Sequence, residues 1–219
     1  MEQTFAFNWF FHLLFLGFFF LAALLFLRLE HMRGRAFLKI TKTLGFSFLD
    51  KPGEAFPERL RPFRLFRFRG SHHISQWVEG DLDGERLVLF NCLFKAQTRF
   101  STYRGGFLCG LIRLPTPWPA FALHPAGLKR ETPGALLGQT FSTPELQGRP
   151  YRLFSESWSK GGVERLIHGL SPKGEEVILE VHGTWCLYAR EGELVPGRVT
   201  QELAALGRLA LLLKTVTPG

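Results

Sequence analysis

Phe5 to Leu27 reads FAFNWFFHLLFLGFFFLAALLFL, without one charged side chain. A helix rises about 1.5 Å per residue, so roughly 20 such residues cross the hydrocarbon core of a bilayer. The run meets that length. Trp9 suits the interface at one end, and Asn8 lies within reach of the headgroups. His12 is deeper and reads as a neutral imidazole reaching toward the interface; an intramembrane functional histidine is the alternative. Residues 1–4 then form a short extracytoplasmic N-terminus, 5–27 the transmembrane helix, 28–50 a basic juxtamembrane helix and linker, and 51–219 one domain.

A cleaved signal peptide needs a basic leader, a short apolar core and a small-residue exit. Met1, Glu2, Gln3 and Thr4 carry no cation, and the run leaves through Leu27-Arg28-Leu29-Glu30, so an uncleaved anchor is expected. Arg28, Arg33, Arg35, Lys39 and Lys42 follow it against Glu30 alone. Cations resist transfer against the membrane potential, which places this flank and all that follows in the cytoplasm.

From Arg28 to Gly70 eleven Lys or Arg stand against four Asp or Glu; from Ser71 onward the count is sixteen against fourteen. The surplus lies next to the membrane, which favours anionic lipid over free nucleic acid as its partner. The expected headgroup contacts are Arg28, Arg33, Arg35, Lys39, Lys42, Arg59, Arg61, Arg64, Arg67 and Arg69. Cys92, Cys109 and Cys186 are odd in number and lack metal spacing, and read as reduced, mostly buried thiols.

Along the chain, Arg35–Leu44 suits a short helix with Phe37, Ile40 and Leu44 on one face, packed on the domain or laid on the membrane, with Gly45 as its cap. Phe46 and Phe48 are extended, and Asp50-Lys51-Pro52-Gly53 is a turn. Arg59 to Arg69 (RLRPFRLFRFR) reads as a strand with rings inward and arginines outward; a single-strand nucleic-acid surface is the alternative. His73–Glu79 and Arg86–Phe94 form a hairpin across Gly80–Gly84. Gly106–Leu114 is a strand broken by Pro115, Pro117 and Pro119; Phe121–His124 resumes it. Pro125–Gly138 is an irregular loop, Tyr151–Ser155 a strand and Gly161–Leu170 a short helix. Glu176–Val181 and Thr184–Ala189 form a second hairpin across His182-Gly183, and Val195–Lys214 closes the chain as a long helix. The fold class is α+β: an N-terminal transmembrane helix, then one mostly antiparallel sheet of six or seven strands with a long C-terminal helix.

The motifs of nucleotide binding, metalloproteases and serine hydrolases are absent, and no cofactor or metal is implied. His72 and His73 point to opposite faces of a strand, a poor joint metal site. Asp81, Asp83 and Glu85 read as turn residues rather than calcium ligands. Ser155, Ser157 and Lys160 cluster beside Trp158 without a placed base or oxyanion site.

Several features recur in order: a helix then Leu44-Gly45-Phe46-Ser47-Phe48; Pro62-Phe63; Val78-Glu79-Gly80 leading into Val88-Leu89-Phe90; Leu114-Pro115 and Phe121 to Pro125; Phe141 then Tyr151; Leu170-Ser171-Pro172; and a terminal helix. This layout resembles an uncharacterised family of bacterial single-pass membrane-tethered proteins. The resemblance implies a bacterial inner-membrane protein and carries over no catalytic residue. Function reduces to three expectations: a scaffold or binding domain held at the cytoplasmic face, with lipid and a protein partner; an envelope- or lipid-modifying enzyme using Ser157, Trp158 and His168; or a nucleic-acid module using residues 59–69.

Overall fold

The computed structural model describes residues 2–52, 56–67, 71–97, 102–125, 141–146, 149–155 and 176–215. The expected loop after Pro125, the expected helix Gly161–Leu170, and Ser157, Trp158, Lys160 and His168 lie outside the described residues. The described chain orders as helix α1 (Glu2–Thr43), β1 (Ser47–Leu49), α2 (Phe56–Leu60), a 3-10 turn (Arg64–Phe66), β2 (Ser71–Leu82), β3 (Glu85–Gln97), β4 (Thr102–Pro125), β5 (Phe141–Leu146), β6 (Arg149–Ser155), β7 (Val177–Glu191), a 3-10 turn (Pro196–Arg198) and α3 (Val199–Thr215).

α1 is one helix of 42 residues. The separate short helix expected at Arg35–Leu44 is the last turns of the same rod, because residues 28–34 contain no proline and good helix formers surround Gly34. Its exit is a Schellman motif. Phe46 N–H donates to Thr41 O at 2.8 Å, and Gly45 N–H donates to Lys42 O. Gly45 takes φ +75°.

Among the described residues seven strands form one antiparallel sheet in the order β1-β2-β3-β4-β6-β5, with β7 on the other edge of β4. β3 pairs the first half of β4 and β6 its last five residues, so the two lie end to end along one edge. The β2–β3 turn is tighter than expected: Asp83 and Gly84 alone turn the chain, with φ of 53° and 81°. This is the primed geometry that matches strand twist. Two other expectations fail. Pro115, Pro117 and Pro119 do not break β4; they occupy 113–120, where neither β3 nor β6 reaches, so their missing N–H groups leave no ladder bond unmade there. His182-Gly183 is not a hairpin turn. β7 runs through it, and Gly183 at φ +60° sits opposite Trp118 at an irregularity in the pairing.

Each face of the sheet carries its own core. On one face α3 and the C-terminal end of α1 cover Leu87, Leu89, Leu108, Ile112, Leu123, Leu179 and Cys186, with Phe37, Val199, Leu203, Leu206, Leu209 and Leu213 as the covering side chains. Burying each of these apolar side chains is worth about 1.5–3 kcal/mol. On the other face Leu60, Phe63 and Leu65 cover Trp77, Val88, Phe90, Phe107, Leu111 and Leu187. The parity of core residues shifts along β7, from Val177, Leu179 and Val181 to Cys186 and Tyr188, which is what one extra residue at Gly183 does.

The expected strand at 59–69 is replaced by α2 and the 3-10 turn. Leu60, Phe63 and Phe66 repeat every third residue, and Pro62 lacks the donor a ladder would need.

Candidate functional site

The C-terminal end of α1 has two faces. Phe37, fully buried, and Thr41 turn inward, and the Phe37 ring stacks on Phe48 of β1 at 5.0 Å. Arg28, Arg35, Lys39 and Lys42 follow one another at intervals of seven, four and three. They therefore share one stripe on the side opposite Phe37, and all four are exposed.

Arg33 is spent differently. Its guanidinium donates to Glu193 Oε1 at 2.9 Å, to the Leu194 carbonyl at 3.1 Å and to Gln76 Oε1 at 3.2 Å. Gln76 also accepts from the Asn91 side-chain amide, and Asn91 Oδ1 accepts from Leu194 N–H at 2.6 Å. Gln76 N–H donates to Asp50 O at 2.8 Å. This network joins α1, β1, β2, β3 and the segment after β7. At its centre Gln76 holds φ +56° at a bulge in β2. That conformation costs a non-glycine residue on the order of 1 kcal/mol. Asn91 and Gln76 are buried, and their mutual bonds remove the penalty of unpaired amides in the core.

Beside the network a groove of about 410 Å³ opens between α1 and the β1–β2 region. It is lined by Glu30, His31, Arg33, Gly34, Arg35, Phe37, Leu38, Phe48, Asp50 and Gln76. Its helical wall begins three residues past Leu27, so its mouth lies about 5 Å beyond the end of the apolar run.

The remaining expected contacts sit elsewhere. Arg59, Arg61 and Arg67 are exposed around α2 and the 3-10 turn, and Arg64 stacks its guanidinium over the Phe154 ring at 4.3 Å. That segment covers the opposite face of the sheet, so the sheet separates it from the α1 stripe. Arg69 lies outside the described residues. A base-stacking surface needs exposed rings, and Phe63 is 2% exposed.

No family model and no curated protein matches the sequence. One solved structure does: the crystal structure of the mycobacterial trehalose monomycolate transport factor A, TtfA, superposes with a TM-score of 0.55 at 15% identity, covering 85% of this chain and 97% of that one. The fold is shared. At this identity the likeness is one of architecture alone.

A second polar cluster lies under the 3-10 turn. Glu180, 2% exposed, accepts from Arg64 N–H at 2.5 Å and Leu65 N–H at 3.0 Å, and its Oε1 lies 2.9 Å from His124 Nε2. A carboxylate so held ties the turn to β7 and β4. Burial raises the thiols of Cys109 and Cys186 well above their ordinary range, with Glu180 adding to the effect. His72, packed between Phe66 and Phe94, is lowered from 6.5 by burial. Among the described residues no group of three or more His, Cys, Asp or Glu is placed to hold a metal ion.

Sequence reading missed Gln76, Asn91, Glu180 and the groove residues Glu30, His31, Gly34 and Asp50. Only Gly34, a glycine inside a long helical run, carries a local signal.

Proposed function

We propose that this chain is a single-pass protein of a bacterial cytoplasmic membrane. Its α+β domain works at the cytoplasmic face as a rigid binding scaffold for a protein of the envelope-lipid transport class, with anionic lipid holding its base. The observation that carries this reading is the continuity of α1. Its apolar part is exposed along its length and long enough to cross a membrane, and the same helix buries Phe37 in the domain core. A removable leader would not be expected to share an unbroken helix with the core. The likeness to TtfA supports an envelope-related role, since that protein is named as a transport factor for trehalose monomycolate.

The exposed stripe Arg28, Arg35, Lys39 and Lys42 supplies the lipid contact, at about 1 kcal/mol per basic residue near the surface. A helix standing along the membrane normal would carry Lys42 about 21 Å beyond Arg28, more than two Debye lengths. Arg28 and Arg35 therefore dominate unless the helix leans. Arg33 positions the helix, and the Arg59–Arg67 group lies too far around the domain to share the same contact.

The test is twofold. A C-terminal tag stays inaccessible from outside intact cells, and residues 28–219 float with vesicles containing phosphatidylglycerol but not with neutral ones. Labelling of the tag from outside, or equal flotation with both vesicles, rejects the reading.

A further inference from the structure

We infer that the groove at the foot of α1 is a binding site for one zwitterionic membrane lipid whose headgroup pairs a phosphate with a primary ammonium, the chemistry of phosphatidylethanolamine. The inference rests on the reading that α1 spans the bilayer.

Three observations carry it. The first is charge. The groove is lined by both signs, Glu30 and Asp50 against Arg35, with the His31 imidazole beside them. Among the described residues none of these four side chains makes an ion pair or hydrogen bond, whereas Arg33 in the same wall is fully engaged. A uniformly anionic lipid would leave the two carboxylates facing its phosphate. A zwitterion satisfies both sets: the phosphate takes Arg35 and His31, and the ammonium donates to Asp50 and Glu30.

The second is space. Glu30, Gly34, Phe37 and Leu38 lie at −4, 0, +3 and +4 along α1, so Gly34 is at the middle of the helical wall. A Cβ built at Gly34 meets nothing within 4 Å. Glycine inside a helix costs up to about 1 kcal/mol relative to alanine, and no neighbour here demands it. What glycine does provide is open volume. The third is level: the mouth begins just beyond the apolar run, where headgroups lie.

The test uses the full chain in detergent micelles, loaded with equimolar phosphatidylethanolamine, phosphatidylcholine and phosphatidylglycerol, with retained lipid counted by native mass spectrometry. Phosphatidylethanolamine should be retained about tenfold over phosphatidylcholine, the discrimination expected of charge-assisted hydrogen bonds that a trimethylammonium cannot donate. Gly34→Leu fills the groove and should abolish that retention while circular dichroism and thermal midpoint stay at or above wild type. Asp50→Asn should bring the two zwitterions close to parity. Unchanged retention in Gly34→Leu, or retention ordered by net lipid charge alone, overturns the site. A chain that is soluble without detergent would instead overturn the spanning helix, so the two failures are distinguishable.

Discussion

A few buried polar side chains tie separate elements of this domain together. Glu180 gathers two backbone N–H groups and an imidazole where almost no solvent reaches. Glu180→Ala should destabilise the protein by about 2–4 kcal/mol, since it strands buried donors rather than merely deleting a bond. Denaturant unfolding of the micelle-bound chain measures it, and a change under about 0.5 kcal/mol would contradict the arrangement. His72 gives a pH signature. Burial lowers its proton affinity in the folded state, and Nε2 has no hydrogen-bond partner among the described residues. The unfolded chain then binds the extra proton as pH falls below 6.5, so this residue withdraws stability on acidification and is neutral above that range. His72→Phe should flatten the acid limb of thermal midpoint against pH below 6.5.

Two glycines on different elements should respond in opposite directions. A Cβ at Gly110 of β4 would lie 2.5 Å from Leu206 Cδ2. Gly110→Ala should therefore cost about 1–3 kcal/mol by forcing α3 off the sheet. Gly34→Ala meets nothing and should raise stability by about 0.5–1 kcal/mol. Paired thermal melts check both, and equal signs would contradict the packing described. The elements that local chemistry specifies were legible: the apolar run, the Asp83-Gly84 turn and the period of α3, whose Leu203, Leu206, Leu209 and Leu213 are buried as their spacing requires. Elements whose form is set by distant partners were not. His182-Gly183 has the composition of a turn, yet β4 lies alongside and keeps β7 extended through it. The three prolines read as a break because the sequence does not say that this stretch of β4 lacks a neighbour on one edge. The arginine-phenylalanine alternation between 59 and 69 mimics a strand until Leu60, Phe63 and Leu65 are seen to cap a core from above. The groove escaped for the same reason: Asp50 is turn chemistry by itself and becomes a groove residue only when α1 passes beside it.

The long N-terminal helix and the domain are not separable at Leu44. A fragment beginning at residue 28 keeps Phe37, Ile40, Thr41 and the Arg33 network and should fold. One beginning at residue 45 loses Phe37, which is fully buried. It should be less stable by at least about 3–5 kcal/mol, visible as a lower thermal midpoint or as aggregation on expression. The three cysteines are buried. In the native protein at neutral pH they should resist a thiol-reactive dye that labels all three after unfolding, and rapid labelling of any one would contradict the packing of the sheet.

The uninterrupted rod of α1 also makes the domain a lever. About 24 Å of helix projects past Leu27 with no hinge. With α1 set across a bilayer as proposed, a lean of about 20° would swing its far end sideways by roughly 8 Å. Bilayer thickness, by setting that lean, would then become a quantity the domain registers as position.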